Sequence, residues 1–232
     1  MTILELHEFL DAGRFENLLE YELSESLLIS YDDSGTTAIN KIADAKKTHY
    51  IPTDLLTECV LFSHSKAEEQ GTQDEAWSGI DCIIRHDQFY LLPDSLKTRE
   101  ILMHRQSGGW LPLHIAASFG KLNQLPSEVI TTENLRTAND FGTHCFHLAA
   151  LNNNLQQIPS NIISTDALLD EDEDKVTALE YAFNKNREQL LGLALDERCR
   201  PIIGDYLDTI MQLHKQLHSI DSVHEETGLD LF

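Results

Sequence analysis

Residues 108–126 read GGWLPLHIAASFGKLNQLP, and this stretch decides the fold of the chain. Pro126 follows Gly120 by six positions, at a point where a helix is expected to be running. A proline inside a helix deletes a backbone hydrogen bond and costs about 3 kcal/mol, but it is well suited to the first helical turn. We therefore expect Pro126 to begin a short helix, and TTENL (131–135) to supply a threonine cap for a further turn.

The same phrase recurs along the chain at a regular spacing. The position numbers of Pro52, Pro93, Pro126 and Pro159 rise in steps of 41, 33 and 33. A second phrase keeps step with these prolines: GTTAINKIA (35–43), AWSGIDCII (76–84), GWLPLHIAA (109–117), GTHCFHLAA (142–150) and KVTALEYAF (175–183). A period of about 33 residues is typical of stacked repeat units. The longer first step is assigned to a surface insertion at about 63–75.

These units resemble ankyrin repeats, whose box is G-x-T-P-L-H-x-A-A-x-x-G. The closest matches are GWLPLHIAASFG (109–120) and GTHCFHLAALNN (142–153), and the resemblance covers roughly residues 12–200. Only His114 and His147 keep the box histidine, and the unit at 76–84 keeps almost none of the box. The resemblance implies an all-α ankyrin-repeat solenoid of stacked helix pairs, in a bacterial-type variant whose outer helix is split by proline.

The resemblance also predicts the domain organisation. We expect N-terminal capping helices at 1–31, five ankyrin-like repeats at 32–200, a C-terminal capping helix at 201–218 and an acidic flexible tail at 219–232. Stacking is expected to bury Leu113, Ile115, Ala116 and Ala117 against their counterparts one unit later, Phe146, Leu148, Ala149 and Ala150.

Charge is the strongest signal in the composition. Seventeen Lys and Arg against thirty-nine Asp and Glu give 17 − 39 = −22. This field repels nucleic acid and anionic membranes and attracts basic proteins, although acidity can also serve solubility alone. The four cysteines are scattered, no apolar run reaches the ~20 residues of a membrane span, and the N-terminus carries acids where a signal peptide is basic. We therefore expect reduced thiols and a cytoplasmic protein.

No catalytic or cofactor motif accompanies the eleven histidines. His114 and His147 stand at the box position, where a histidine normally bonds to neighbouring backbone, and His144 is given the same explanation. His214 and His218 lie one helical turn apart but have no third ligand nearby, so a solvated helix face is expected there. The run DEDED (170–174) lacks the ligand spacing of a calcium loop and is expected to form an exposed acidic hairpin. The sequence therefore predicts no enzyme, no cofactor and no metal site.

The resemblance places partner binding on the concave face, formed by hairpin tips and the outward side of the inner helices. Both tryptophans fall at equivalent tips of adjacent repeats, and with nearby apolar side chains they are expected to form a patch framed by acids. The alternative is that the tryptophans fold back onto neighbouring loops as core. The predicted binding residues are Trp77, Arg85, His86, Trp110, Phe119, Phe141, Leu151, Glu173 and Asp174.

The C-terminal residues GLDLF offer a second binding element. Leu229, Asp230, Leu231 and Phe232 resemble the bacterial sliding-clamp-binding peptide Q-L-[SD]-L-F, with Gly228 standing where glutamine is expected. The alternative is that Leu231 and Phe232 pack on the last repeat.

We expect a non-catalytic intracellular protein-binding module of bacterial or phage origin. An inhibitor or immunity-type protein that engages a basic, nucleic-acid-acting protein fits the acidity best. The alternative is a DNA-replication or repair accessory protein tethered to the sliding clamp by its tail.

Overall fold

A computed structural model describes residues 1–66, 77–186, 189–190 and 203–204 of the chain. The regular elements of these residues are helices, with only isolated β-bridges beside them, so the all-α prediction is confirmed. The α-helices of this part of the chain are α1 (Ile3–Asp11), α2 (Glu25–Leu28), α3 (Ala38–Asp44), α4 (Glu58–Leu61), α5 (Gly79–Arg85), α6 (Arg99–Leu102), α7 (Pro112–Ser118), α8 (Thr132–Leu135), α9 (Cys145–Leu151), α10 (Thr165–Leu169) and α11 (Ala178–Lys185). Apart from residues 203 and 204, the predicted C-terminal cap and tail lie outside the described residues.

Helices α3, α5, α7, α9 and α11 form one row of inner helices. They begin at positions 38, 79, 112, 145 and 178, which reproduces the steps between the repeated prolines of the sequence. Each packs on the next along the row, and α1 packs on α3 at the N-terminal end. The eight apolar residues of α7 and α9 that were predicted to face one another are all buried. Paired alanines such as Ala116 and Ala117 have no bulk beyond Cβ, so neighbouring helices approach closely.

The remaining short helices are the outer helices, and α4, α6, α8 and α10 are each preceded by one of the repeated prolines. Pro52 and Pro93 immediately precede single 3-10 turns, Thr53–Leu55 and Asp94–Leu96. At Pro126 two successive hydrogen bonds form the turn: the Val129 N–H donates to the Pro126 carbonyl over 3.0 Å, and the Ile130 N–H donates to the Ser127 carbonyl over 3.2 Å. The prediction that Pro126 begins a short helix is therefore corrected to a short turn that does not continue into a regular helix.

The physical reason is the spacing between the proline and the next cap. Thr131 caps α8 by accepting a hydrogen bond from the Asn134 N–H over 3.2 Å, as predicted for TTENL. Too few residues separate Pro126 from Thr131 to propagate an α-helix, whose first turn is costly to nucleate.

Hairpins join successive units and bond to one another along the row. The Lys66 N–H donates to the Gly35 carbonyl over 2.8 Å, the Asp140 N–H to Gly108 over 3.0 Å, and the Glu173 N–H to Phe141 over 3.0 Å. Residues 63–66, predicted to begin the insertion, form part of this hairpin series, because His64 pairs with Ser78 in a β-bridge. The described helices are all too short or too polar to cross a lipid bilayer.

Candidate protein-binding face

The inner helices begin with a repeated arrangement that fixes the residue just before each of them. In four of the five units the third residue of the helix bonds back to the N–H of the residue that precedes the helix. The back-bonding atoms are Asp81 Oδ2 (3.1 Å from the Ser78 nitrogen), His114 Nδ1 (3.2 Å from the Leu111 nitrogen), His147 Nδ1 (3.3 Å from the His144 nitrogen) and Glu180 Oε2 (2.8 Å from the Thr177 nitrogen). These bonds fix the residue directly before each helix, and in α5 and α7 that residue follows the tip tryptophan, Trp77 or Trp110.

His114 and His147 have the structural role predicted for them. Each ring accepts at Nδ1 and donates from Nε2 to a backbone carbonyl, that of Thr137 over 2.7 Å and that of Asp170 over 2.8 Å. This pairing requires the neutral ring, because a protonated Nδ1 has no lone pair for the back-bond. Burial lowers the pKa of His114 to about 4 and also lowers the pKa of His147.

His144 departs from the prediction that it shares the explanation given for His147. It lies just before α9, it is buried, and neither of its ring nitrogens has a hydrogen-bond partner among the described residues. Its Nε2 lies 3.4 Å from Asp170 Oδ2, and its ring lies 3.9 Å from the ring of His147. Burial, followed by the proximity of His147, lowers the pKa of His144 to about 3.

Sequence reasoning missed the polar cluster around Asp81. The Ser78 hydroxyl donates to Asp81 Oδ2 over 2.7 Å, and the Gln106 amide donates to Asp81 Oδ1 over 3.1 Å. The Gln106 amide oxygen is in turn bonded to His64 Nε2 over 2.8 Å. Burial raises the pKa of Asp81, although these hydrogen bonds oppose the rise. The signal was present in the register, because Asp81 stands one repeat period before His114.

Trp77, Arg85 and Phe119 form a compact cluster at the ends of α5 and α7, here called the tip cluster. The Trp77 and Phe119 rings meet edge to face with centroids 5.8 Å apart. The Arg85 guanidinium lies 5.5 Å from the Trp77 ring and 5.1 Å from the Phe119 ring. Trp77 precedes α5, Arg85 ends α5 and Phe119 follows α7, so side chains from two adjacent units converge. All three are half-buried and remain partly open to solvent.

Trp110 and Phe141 form a second group one unit further along. A Cβ added to Gly108 would lie 3.3 Å from Trp110 Cδ1 and 3.5 Å from Phe141 Cε2, so both rings border this glycine. Trp110 also meets the His114 ring edge to face at 5.8 Å and is half-buried, whereas Phe141 is 50% exposed. Both tryptophans of the chain pack partly on the core and partly face solvent.

The remaining predicted residues lie at the ends of α5 and α9 and on the last described hairpin. His86 Nε2 lies 3.0 Å from Asp44 Oδ1, which ties the end of α5 to the end of α3. Leu151, at the end of α9, is half-buried. Glu173 and Asp174 are exposed on the last hairpin, and neither forms an ion pair with a described residue.

The tail residues 229–232, together with His214 and His218, lie outside the described residues. Within the described part of the chain, no group of three or more His, Cys, Asp or Glu side chains is placed to hold a metal ion. Comparison of the chain with protein-family models and with curated proteins finds no match.

Proposed function

We propose that this chain is a non-catalytic protein-binding module of the ankyrin-repeat type, which binds its partner through the hairpin tips and the outward side of the inner helices. The repeat assignment is supported by inner helices that recur in step with the sequence repeat, by each inner helix packing on the next, and by hairpins that bond in series. Units of this kind bury their apolar faces only by stacking, which leaves an extended surface for a partner.

The tip cluster is the single observation that carries the binding proposal. Two aromatic rings and a guanidinium from adjacent units are held together at the surface without being fully buried. Tryptophan and arginine are the side chains most enriched at binding hot spots, because they bring large contact area and directed hydrogen bonds to one place. Exposed Phe141 extends the apolar surface one unit further along the row.

The proposed partner is a basic protein, and the proposed role is that of an inhibitor or immunity-type protein in the cytoplasm. The net charge of −22 accelerates the approach of a positively charged partner. An acidic surface can occupy the basic cleft of a nucleic-acid-acting enzyme, which would explain inhibition without catalysis.

The proposal is tested by capture from the native cells. The protein is purified at low salt as the wild type and as the double variant Trp77→Ala/Trp110→Ala, and the co-eluting proteins are identified by mass spectrometry. We expect a basic protein to co-elute with the wild type and to be absent with the double variant. Its association should weaken steeply as the salt concentration rises, since salt screens charge attraction.

Tyr90→Ala is the matched control, because Tyr90 is 71% exposed and belongs to neither the tip cluster nor the Trp110–Phe141 group. This variant should retain the partner. A partner that survives the double substitution, or that is lost equally with Tyr90→Ala, would show that the tips are not the binding face.

The tail supplies a second candidate function. Residues 229–232 (LDLF) resemble the sliding-clamp-binding peptide, and we propose on that likeness an accessory role in DNA replication or repair. Deletion of residues 228–232 should abolish co-purification with the clamp. Binding to the clamp that is unchanged by the deletion would refute this candidate.

A further inference from the structure

We propose that Arg85 binds a carboxylate of the partner, so that the tip cluster recognises an aspartate or glutamate beside an apolar side chain within an otherwise basic protein. This inference rests on the proposed function and specifies the chemistry of the same face.

Arg85 is held in place by two aromatic rings, and its guanidinium has no hydrogen-bond acceptor among the described residues. Its guanidinium lies against both the Trp77 and Phe119 rings, which restricts its side chain through cation–π contact. It forms neither an ion pair nor a hydrogen bond with any described residue. A planar guanidinium presents five N–H donors in a fixed geometry, so a positioned but unpaired arginine is ready for an incoming acceptor.

Three acids on α3 and α5, or directly after α5, are engaged by other side chains. Asp44 bonds to His86 over 3.0 Å, and Asp87 bonds to Lys121 over 2.6 Å. Asp81 is buried and takes its hydrogen bonds from Ser78 and Gln106. Among the described residues, no acid of its own unit or of the neighbouring units therefore forms an ion pair with Arg85.

Arg136 shows what an arginine of this chain does when a carboxylate is within reach. Its Nε and Nη2 donate to the two oxygens of Asp170 over 2.8 and 2.9 Å. Such two-point pairing is strong and directional. Arg85 can offer the same two-point pairing to a carboxylate supplied from outside, and the adjoining rings can cover the apolar side chain next to it.

A single acidic anchor is compatible with a basic partner. The many acids of this chain draw the partner in by long-range attraction, whereas one correctly placed carboxylate fixes the register once the surfaces touch. A partner that is basic everywhere would place a cation against Arg85, and like charges in a half-buried contact are unfavourable.

The test uses the full-length chain and random dodecapeptides displayed on phage. We expect the peptides selected on the wild type to be enriched in Asp or Glu beside an aromatic or aliphatic residue. Arg85→Gln should weaken a selected peptide by about tenfold or more, while Arg85→Lys restores only part of the affinity because an ammonium lacks the planar fork. On Arg85→Glu, selection at the acidic position should switch to Lys or Arg.

Arg14→Glu is the matched control, because Arg14 also lies over an aromatic ring, 4.8 Å from Phe9, at the far end of the chain. The peptides selected on this variant should match those selected on the wild type. An equal switch with Arg14→Glu, or no switch with Arg85→Glu, would overturn the inference.

The two proposals fail in different ways. If the selected peptides depend on Trp77 but carry no acid, the inference about Arg85 is wrong and the binding face stands. Selection of no peptide, or only of peptides indifferent to Trp77→Ala, also overturns the inference. In that case the native capture experiment with the double tryptophan variant still decides the proposed function by itself.

Discussion

Helices α5 and α7 both begin with a hydrogen bond from the backbone to a buried titratable side chain, but that side chain is an acid in α5 and a base in α7. In α5 a buried carboxylate, Asp81, accepts the N–H of Ser78, and in α7 a buried imidazole, His114, accepts the N–H of Leu111. The two side chains stand one repeat period apart at the same helical position. An acid and an imidazole can therefore make the same back-bond, so this position is not restricted to the histidine of the box.

The difference between the two positions lies in how they respond to pH. Burial raises the pKa of Asp81 and lowers the pKa of His114, so folding shifts each group toward its neutral form. Their contributions to the free energy of unfolding therefore change with pH in opposite directions. Four measurements test how these positions contribute to the free energy of unfolding.

Removing the imidazole of His114 is expected to have the largest effect on the free energy of unfolding. His114→Ala leaves the buried Leu111 N–H and the Thr137 carbonyl without their partner and opens a cavity. We expect the free energy of unfolding to fall by about 3–4 kcal/mol, measured by urea denaturation at pH 7. His49→Ala, at an exposed position, should cost less than about 0.5 kcal/mol. A similar loss in both variants would show that the two backbone bonds contribute little.

The pH dependence of His114 is expected to be the next largest effect. Between its ordinary pKa of 6.5 and its folded pKa of about 4, the unfolded chain holds the proton more tightly, so stability falls as pH falls through this window. The contribution is complete above pH 6.5, and about 3 kcal/mol is lost by pH 4. The non-titrating variant His114→Gln should give a flatter curve of unfolding free energy against pH. Parallel curves for variant and wild type would contradict the assignment.

Asp81→Asn should give a smaller change with the reverse trend. Because the pKa of Asp81 is raised, the folded chain holds the proton more tightly, and the stability that Asp81 contributes is lost as pH rises from its ordinary value of 3.8 through the folded value. Asparagine has one acceptor oxygen where the carboxylate uses two. We expect a penalty of about 1 kcal/mol near pH 4 that shrinks as pH rises, measured by chemical denaturation across that range. A penalty that grows with pH would show that Asp81 is held as an anion.

Ser78→Ala should have the smallest effect of the four. The Ser78 hydroxyl bonds to Asp81, but Leu111 occupies the equivalent position before α7 and provides no hydroxyl. We expect a loss of about 0.5 kcal/mol by thermal or urea unfolding, because the backbone bond from Ser78 to Asp81 remains. A loss as large as that of His114→Ala would mean that the hydroxyl, and not the N–H, holds the start of α5.

The period was readable from the sequence because it is set by local chemistry. The prolines can stand only where a helical turn begins, and the apolar boxes must recur for units to stack, so both leave a regular spacing. The buried faces of α7 and α9 were predicted residue by residue for the same reason. The length of the turn at Pro126 was not, because it depends on where Thr131 caps the next helix.

The candidate face was readable only in part. Register placed Trp77, Arg85 and Phe119 on one side of the stack, but the convergence of three side chains from two units depends on how α5 and α7 pack. The role of Asp81 was missed because the box pattern names a histidine at this position, while the fold accepts any side chain that can receive the same N–H bond.

The sequence by itself determined the helical class, the repeat period and the positions that are buried, since these follow from propensity, capping and hydrophobic spacing along the chain. Which side chains meet across units follows only from the tertiary structure: the rings around Arg85, the Gln106 bond to Asp81, and the approach of the His144 ring to Asp170. The physical reason is that contacts between units depend on distances across the stack, and no pattern within one unit specifies them.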